Sequence, residues 1–159
     1  MIVVADSSPL IYLSRLSVLE LLPGMYGEIV VPAIVWSEVV EARPAAPGVA
    51  ALREARWIRI ASDPVTTEDL GLDPGETAAI LLASALHADS LLIDERAGRA
   101  VAQARGIHVR GTIGVLIRAR ELRLIVALRP LLAELARQGF RLAPHIAAAA
   151  LRAVGEEVR

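Results

Sequence analysis

Three short runs, almost wholly apolar and without polar alternation, constrain the fold most: IVVA (2–5), EIVV (28–31) and SLLI (90–93). A strand with one wet face alternates apolar and polar residues, so unbroken apolar strands must be covered on both faces. Helical segments follow each of them: SPLIYLSRL and VLELL, AIVWSEVVEA, and RAGRAVAQAR. Strand and helix in alternation predict a parallel sheet between two layers of helices, an α/β fold.

WIRI (57–60) alternates and reads as an outer strand, and IHVR (107–110) as the last one. Pro23-Gly24 is expected to end the second helix, and the polar stretch 61–72 is a connection that could serve as a lid. DPGE (73–76) starts TAAILLASALHA, apolar nearly all round and therefore central. GTIGVLIRAREL, ALRPLLAELARQG and APHIAAAALRAVGEEV read as three further helices. At 159 residues the chain fits one compact domain. It has no cysteine, which excludes disulfides and thiolate metal sites, and no apolar run long enough for a membrane span or a secretory leader. A cytoplasmic protein is expected.

The starts of the first helix and of RAGRAVAQAR carry the chemistry. Asp6 follows the first apolar run directly, and Ser7 or Ser8 is expected to cap the helix with Pro9 opening it. Asp94 repeats the pattern after SLLI. In open parallel sheets, ligands bind at the carboxyl ends of the strands, where both aspartates lie. Capping is the competing explanation for each. Glu38, at 100° per residue, falls on the margin of its helix's apolar stripe, able to turn inward or to stay in solvent. Glu76 completes a capping box with Asp73, Pro74 at the first helical position and Glu76 at the third, which accounts for it without catalysis.

The formal charge of −1 conceals a division. Residues 1–95 hold 14 acids and 5 arginines, residues 96–159 hold 4 acids and 12 arginines, and lysine is absent. Either the composition is biased and the helix faces are merely solvated, or an acidic pocket precedes an arginine-rich surface for phosphates. His87, His108 and His145 lack paired metal-ligand spacing, and there is no Walker loop or GxSxG elbow. Receiver domains and haloacid-dehalogenase-type phosphatases share the architecture. Both lean on a pocket lysine, and the phosphatases want an aspartate where Ser8 stands.

ADSSPL at the end of a strand, a Glu within PAIVWSEVV, DPGE opening a central helix, and LLIDERAGR followed by RGTIGVL closely resemble the PIN-domain nucleases, and a small prokaryotic PIN-like subfamily in particular. The resemblance runs from about residue 2 to residue 140. It implies a three-layer α/β/α domain with a mostly parallel central sheet over 1–140, and residues 141–159 as a C-terminal helical extension packed on it. It further implies that Asp6, Glu38, Glu76 and Asp94 gather to hold Mg²⁺ or Mn²⁺, with Ser8 supporting the first aspartate and Thr112 near the pocket rim. Glu95 can join the metal site or pair with Arg96 or Arg99. The expected activity is metal-dependent hydrolysis of RNA, as in the toxin of a toxin–antitoxin pair. Arg96, Arg99, Arg118, Arg120 and Arg123 are candidates for the RNA-facing rim, and an antitoxin protein or a second copy are candidate partners. The alternative is a catalytically silent PIN-like module that binds RNA or protein.

Overall fold

The computed structural model describes residues 1–156. Its sheet has five strands, β1 (Val3–Ala5), β2 (Ile29–Pro32), β3 (Ile58–Ala61), β4 (Ser90–Leu92) and β5 (Val109–Arg110), in the order β3-β2-β1-β4-β5. Every pairing is parallel, with Val3 opposite both Ile29 and Ser90. β1, β2 and β4 are buried throughout, as their missing alternation requires. β3 and β5 are the two edges, both partly exposed.

The helices are α1 (Ser7–Arg15), α2 (Leu21–Tyr26), α3 (Ala33–Trp36), α4 (Val49–Glu54), α5 (Pro74–Ala85), α6 (Arg96–Ala104), α7 (Thr112–Glu121), α8 (Arg129–Arg137) and α9 (Pro144–Ala153), with a π-helical segment, Ser37–Glu41, directly after α3. The architecture is a three-layer α/β/α sandwich, as expected. Val4, Val30, Leu91 and Ile93 pack one sheet face against Ala79, Ile80, Leu82 and Ala83 of α5 and Ala102 of α6. Each such leucine or isoleucine contributes about 1.5–3 kcal/mol by leaving water. That burial explains why α5 is apolar nearly all round.

Residues 1–112 form one compact unit and residues 113–159 a second, which includes α8 and α9. In the second unit Leu128, Leu132, Leu135, Ala150 and Leu151 are buried. Glu156 accepts the backbone N–H groups of Leu128 and Arg129 at 2.6 and 3.1 Å. The last expected helix ends by Gly155, at φ +74, and positions 157 and 158 of that segment lie outside the described residues. No helix among the described residues is long and apolar enough to cross a membrane.

Two local expectations need correction. Pro23-Gly24 does not end a helix but lies inside α2, which stops at Gly27 with φ +73. Pro23 is the third helical residue, where a first-turn N–H has no intrahelical partner to lose. Neither Ser7 nor Ser8 caps α1. Asp6 holds the N-cap position with extended backbone, and Pro9 is the third residue of the helix.

Candidate active site

The strand order fixes the site. From β1 the chain moves outward through β2 to β3, then returns to lay β4 on the other side of β1. Connections therefore leave β1 and β4 in opposite directions, which opens a crevice at their carboxyl ends. Asp6 and Asp94 flank it. Asp6 follows β1 directly and its N–H donates to Leu92 O of β4 at 2.9 Å. Asp94 follows β4 by two residues. Neither carboxylate caps the helix that follows it, although Asp94 accepts the first N–H of α7, and the N-cap position of α6 belongs to Glu95.

Asp6 is 3 % exposed. Burial pushes its carboxyl up to about 6, against the Ser7 backbone N–H, and the nearby Asp73 and Glu38 charges raise it further. Ser7 Oγ donates to its side chain at 3.4 Å. Asp94 is gripped instead. Ser8 Oγ, Thr112 N and Thr112 Oγ1 all donate to it at 2.7 Å. Ser8 thus braces the fourth acid and not the first, because the second helical residue of α1 faces across to β4. Thr112 is fully buried and holds Asp94 directly, deeper than a rim residue.

Glu76 sits in the first turn of α5 and is 8 % exposed. The capping box is real: Asp73 Oδ1 accepts Glu76 N–H at 2.8 Å. The carboxylate nevertheless carries more than a cap. Burial first, then Asp73, Asp6 and Glu95, push it up to about 7, although a backbone hydrogen bond at Asp73 favours its charged form. Glu38 is exposed as a residue, but its carboxylate leans on the start of α5. A Cβ on Gly75 would lie 2.8 Å from Glu38 Oε2 and 3.5 Å from Asp73 Oδ1. Partial burial raises Glu38 as well, followed by the charges of Asp73 and Asp63. The π segment that carries Glu38 widens the helix by one residue per turn, which α-helical spacing does not anticipate.

A cleft of about 410 Å³ opens here, lined by Asp6, Asp73, Glu76 and Glu95 together with Ser7, Ser8, Tyr12, Arg15 and Arg43. Asp73, Arg15 and Arg43 are the residues sequence reasoning missed. Asp73 was fully explained as a cap, and the two arginines lie in the acidic part of the chain. A side chain at Gly111 would meet Asp94 Oδ1 at 2.8 Å and Arg99 Nη1 at 2.7 Å. Glu95 is exposed at the cleft and forms no ion pair with Arg96 or Arg99 among the described residues. Arg96 is exposed on α6, while Arg99 folds back to donate to Ile93 O at 3.3 Å. Arg118, Arg120 and Arg123 belong to the second unit. There Arg118 pairs with Glu121 at 3.4 Å, Arg120 with Glu156 at 3.6 Å, and Arg123 is exposed.

A family model described as PIN domain matches residues 2–156. This chain belongs to the PIN-domain family. PIN domains are generally nucleases, commonly bind RNA and typically use divalent metal ions. Among solved structures, the chain is similar to a PilT N-terminus domain protein from the hyperthermophilic archaeon Sulfolobus solfataricus P2. The identity is 17 % and the TM-score 0.53, over 75 % of this chain and 93 % of that one. At that identity the likeness speaks to the fold alone. No curated protein sequence matches.

The donor set of this PIN domain fits a hard divalent cation in its chemistry. It is oxygen-only and anionic, and its buried acids are pushed toward protonation by burial first and by one another's charge after it. It is not a closed cage: among the described residues no three His, Cys, Asp or Glu side chains are arranged to hold one ion.

Proposed function

We propose that this PIN domain is a divalent-metal-dependent ribonuclease that hydrolyses RNA phosphodiesters at the crevice between β1 and β4. The observation that carries this reading is the gathering of the buried Asp6 and Glu76 with Asp73 and Glu95 around one cleft at a topological switch point. Burial first, and the neighbouring acids after it, push Asp6 up to about 6 and Glu76 up to about 7, an environment that a bound cation would relieve. Asp6, Glu38, Glu76 and Asp94 are the residues that would hold Mg²⁺ or Mn²⁺. When bound, such an ion supplies charge stabilisation to the phosphodiester and acidifies water. Ser8 and Thr112 fix the orientation of Asp94, the Asp73 cap fixes the first turn of α5 beneath Glu76, and Glu95 adds negative charge at the mouth. Arg96, Arg99, Arg118, Arg120 and Arg123 are proposed RNA contacts, and a toxin role with an antitoxin partner or a second copy is the proposed setting.

One observation favours a second reading, a catalytically silent module that binds RNA or protein: three donors already occupy the Asp94 carboxylate. The two part in one experiment with end-labelled single-stranded RNA. A nuclease cleaves it with Mn²⁺, stops in EDTA and loses cleavage in Asp6→Asn. Binding of intact RNA, with no products under any metal, supports the silent module.

A further inference from the structure

Beside the acidic cleft lies a second cavity of about 390 Å³, lined by Ile11, Val39, Ala42, Ala46, Pro47 and Leu52 among others. The two cavities share one wall: Ser7, Ile11, Arg15 and Arg43 line both. Glu38, at the carboxylate edge, also borders the second. An apolar hollow thus continues directly from a site of acids through a pair of arginines.

The hollow is a built feature. Its outer wall is the loop 43–48, closed by two turns in which Ala46 N–H donates to Arg43 O at 3.0 Å and Val49 N–H to Ala46 O at 3.2 Å. Gly48 seats that loop on α1. It has φ +87, and a Cβ there would stand 2.3 Å from Ser14 Oγ, so only glycine permits the approach. Ser14 Oγ is in turn turned back to donate to Ile11 O at 2.8 Å, which leaves the apolar side chains to face the space. Val39 and Leu52 are buried beneath it.

We propose that this cavity is a nucleobase subsite: it takes the base of the nucleotide whose phosphate lies on Arg15 and Arg43, beside the carboxylates. This rests on the nuclease reading above and deepens it by assigning where sequence preference arises. The chemistry matches at each point. Guanidinium groups recognise phosphate with several N–H donors at once. A cavity within the ~300–1,000 Å³ of small-ligand sites, with apolar walls, accepts a flat ring. Arg15 and Arg43 line both cavities, so a phosphate held on them stands at the mouth of the hollow.

The test uses the full chain in EDTA, where no cleavage occurs, and compares the four nucleoside 5′-monophosphates with ribose 5-phosphate by calorimetry. At least one monophosphate should bind about tenfold or more tightly than the sugar phosphate. Ala46→Phe should remove that difference while leaving ribose 5-phosphate affinity unchanged. Arg43→Gln should weaken all the phosphates together. Ala42→Leu, at an exposed position on the same wall, repeats the filling test should Ala46→Phe not fold. Equal binding of monophosphates and ribose 5-phosphate, or no binding of either at millimolar concentration, overturns the subsite. So does an Ala46→Phe variant that keeps the preference, and a pocket made for a partner protein's apolar side chain would give that result or no nucleotide binding. Failure of the nuclease reading is distinct: it appears as RNA left intact with Mn²⁺, whatever the monophosphates do.

Discussion

Asp6 and Asp94 end neighbouring parallel strands, each just before a helix, and are indistinguishable by their place in the sequence pattern. Their surroundings are opposite. Asp94 has three donors at 2.7 Å, two of them from the fully buried Thr112. Asp6 is buried with only Ser7, through its backbone N–H and a long side-chain contact, shown favouring its charge among the described residues; it faces Asp73 and Glu38 and rises to about 6. The lesson is that topology sets where a carboxylate stands, while its neighbours set what it needs. Asp94 is already oriented and compensated by hydrogen bonds. Asp6 is held as an anion near neutral pH at a cost set mainly by its burial, a cost that a bound cation would offset.

The largest expected effect treats the two alike. Asp6→Asn and Asp94→Asn should each cut Mn²⁺-dependent RNA cleavage by more than about 100-fold in single-turnover assays, beyond the 10–100-fold usual for supporting partners. Thr112→Val, which removes one donor to Asp94, should fall within that smaller range. An active Asp94→Asn would break the pairing and leave Asp6 as the sole necessary strand-end acid.

Stability should separate them. Near neutral pH without metal, Asp94→Asn should destabilise by about 1–3 kcal/mol, since the carboxamide presents an N–H₂ toward donors. Asp6→Asn should stabilise, because it removes an uncompensated buried charge. Urea unfolding of the two variants checks the opposite signs; a shared sign would contradict the comparison.

The pH profile follows from the same contrast. Asp6 and Glu76 have folded-state values above their ordinary ones, at about 6 and about 7. The folded chain therefore binds protons that the unfolded chain has released, and stability falls as pH rises through that window. For Asp6 the loss is on the order of 2–3 kcal/mol. The metal-free protein should melt higher near pH 5 than near pH 7.5, and Asp6→Asn should flatten the profile. Glu76→Gln should flatten it further while keeping the cap, since Asp73 still accepts the backbone N–H.

The smallest effects lie at the arginines. Arg118 and Arg120 make partly exposed ion pairs, each worth up to about 1 kcal/mol to stability. Replacing Arg96, Arg118 and Arg123 with Gln should lower the salt slope of RNA binding by about 0.7 per lost phosphate contact. An unchanged slope returns them to solvated faces.

What the chain discloses before folding is what burial and local geometry encode. Unbroken apolar runs announced β1, β2 and β4, and Asp73 with Pro74 announced the start of α5. The acids at strand ends followed from the same pattern. Side-chain partners across elements were not legible: that Ser8 reaches Asp94 depends on the β1–β4 pairing, which no local signal carries. The π segment hid the lean of Glu38, because its spacing departs from the α-helical period. Asp73 escaped because one good local explanation, the cap, left no residue of doubt to follow. Arg15 and Arg43 escaped because a cavity wall made from α1 and a loop has no sequence period.

The most direct test of the central claim, that Asp6 and its acidic neighbours form a site completed by a divalent cation, is the melting shift on adding millimolar Mn²⁺ to the metal-free protein. A ligand that binds only the folded state raises stability with its concentration. Near pH 7.5 the wild type should gain a clear increase in Tm, smaller near pH 5 where protons compete, and Asp6→Asn should gain almost none. The same shift in Asp6→Asn as in wild type, or no shift in wild type at either pH, would contradict it.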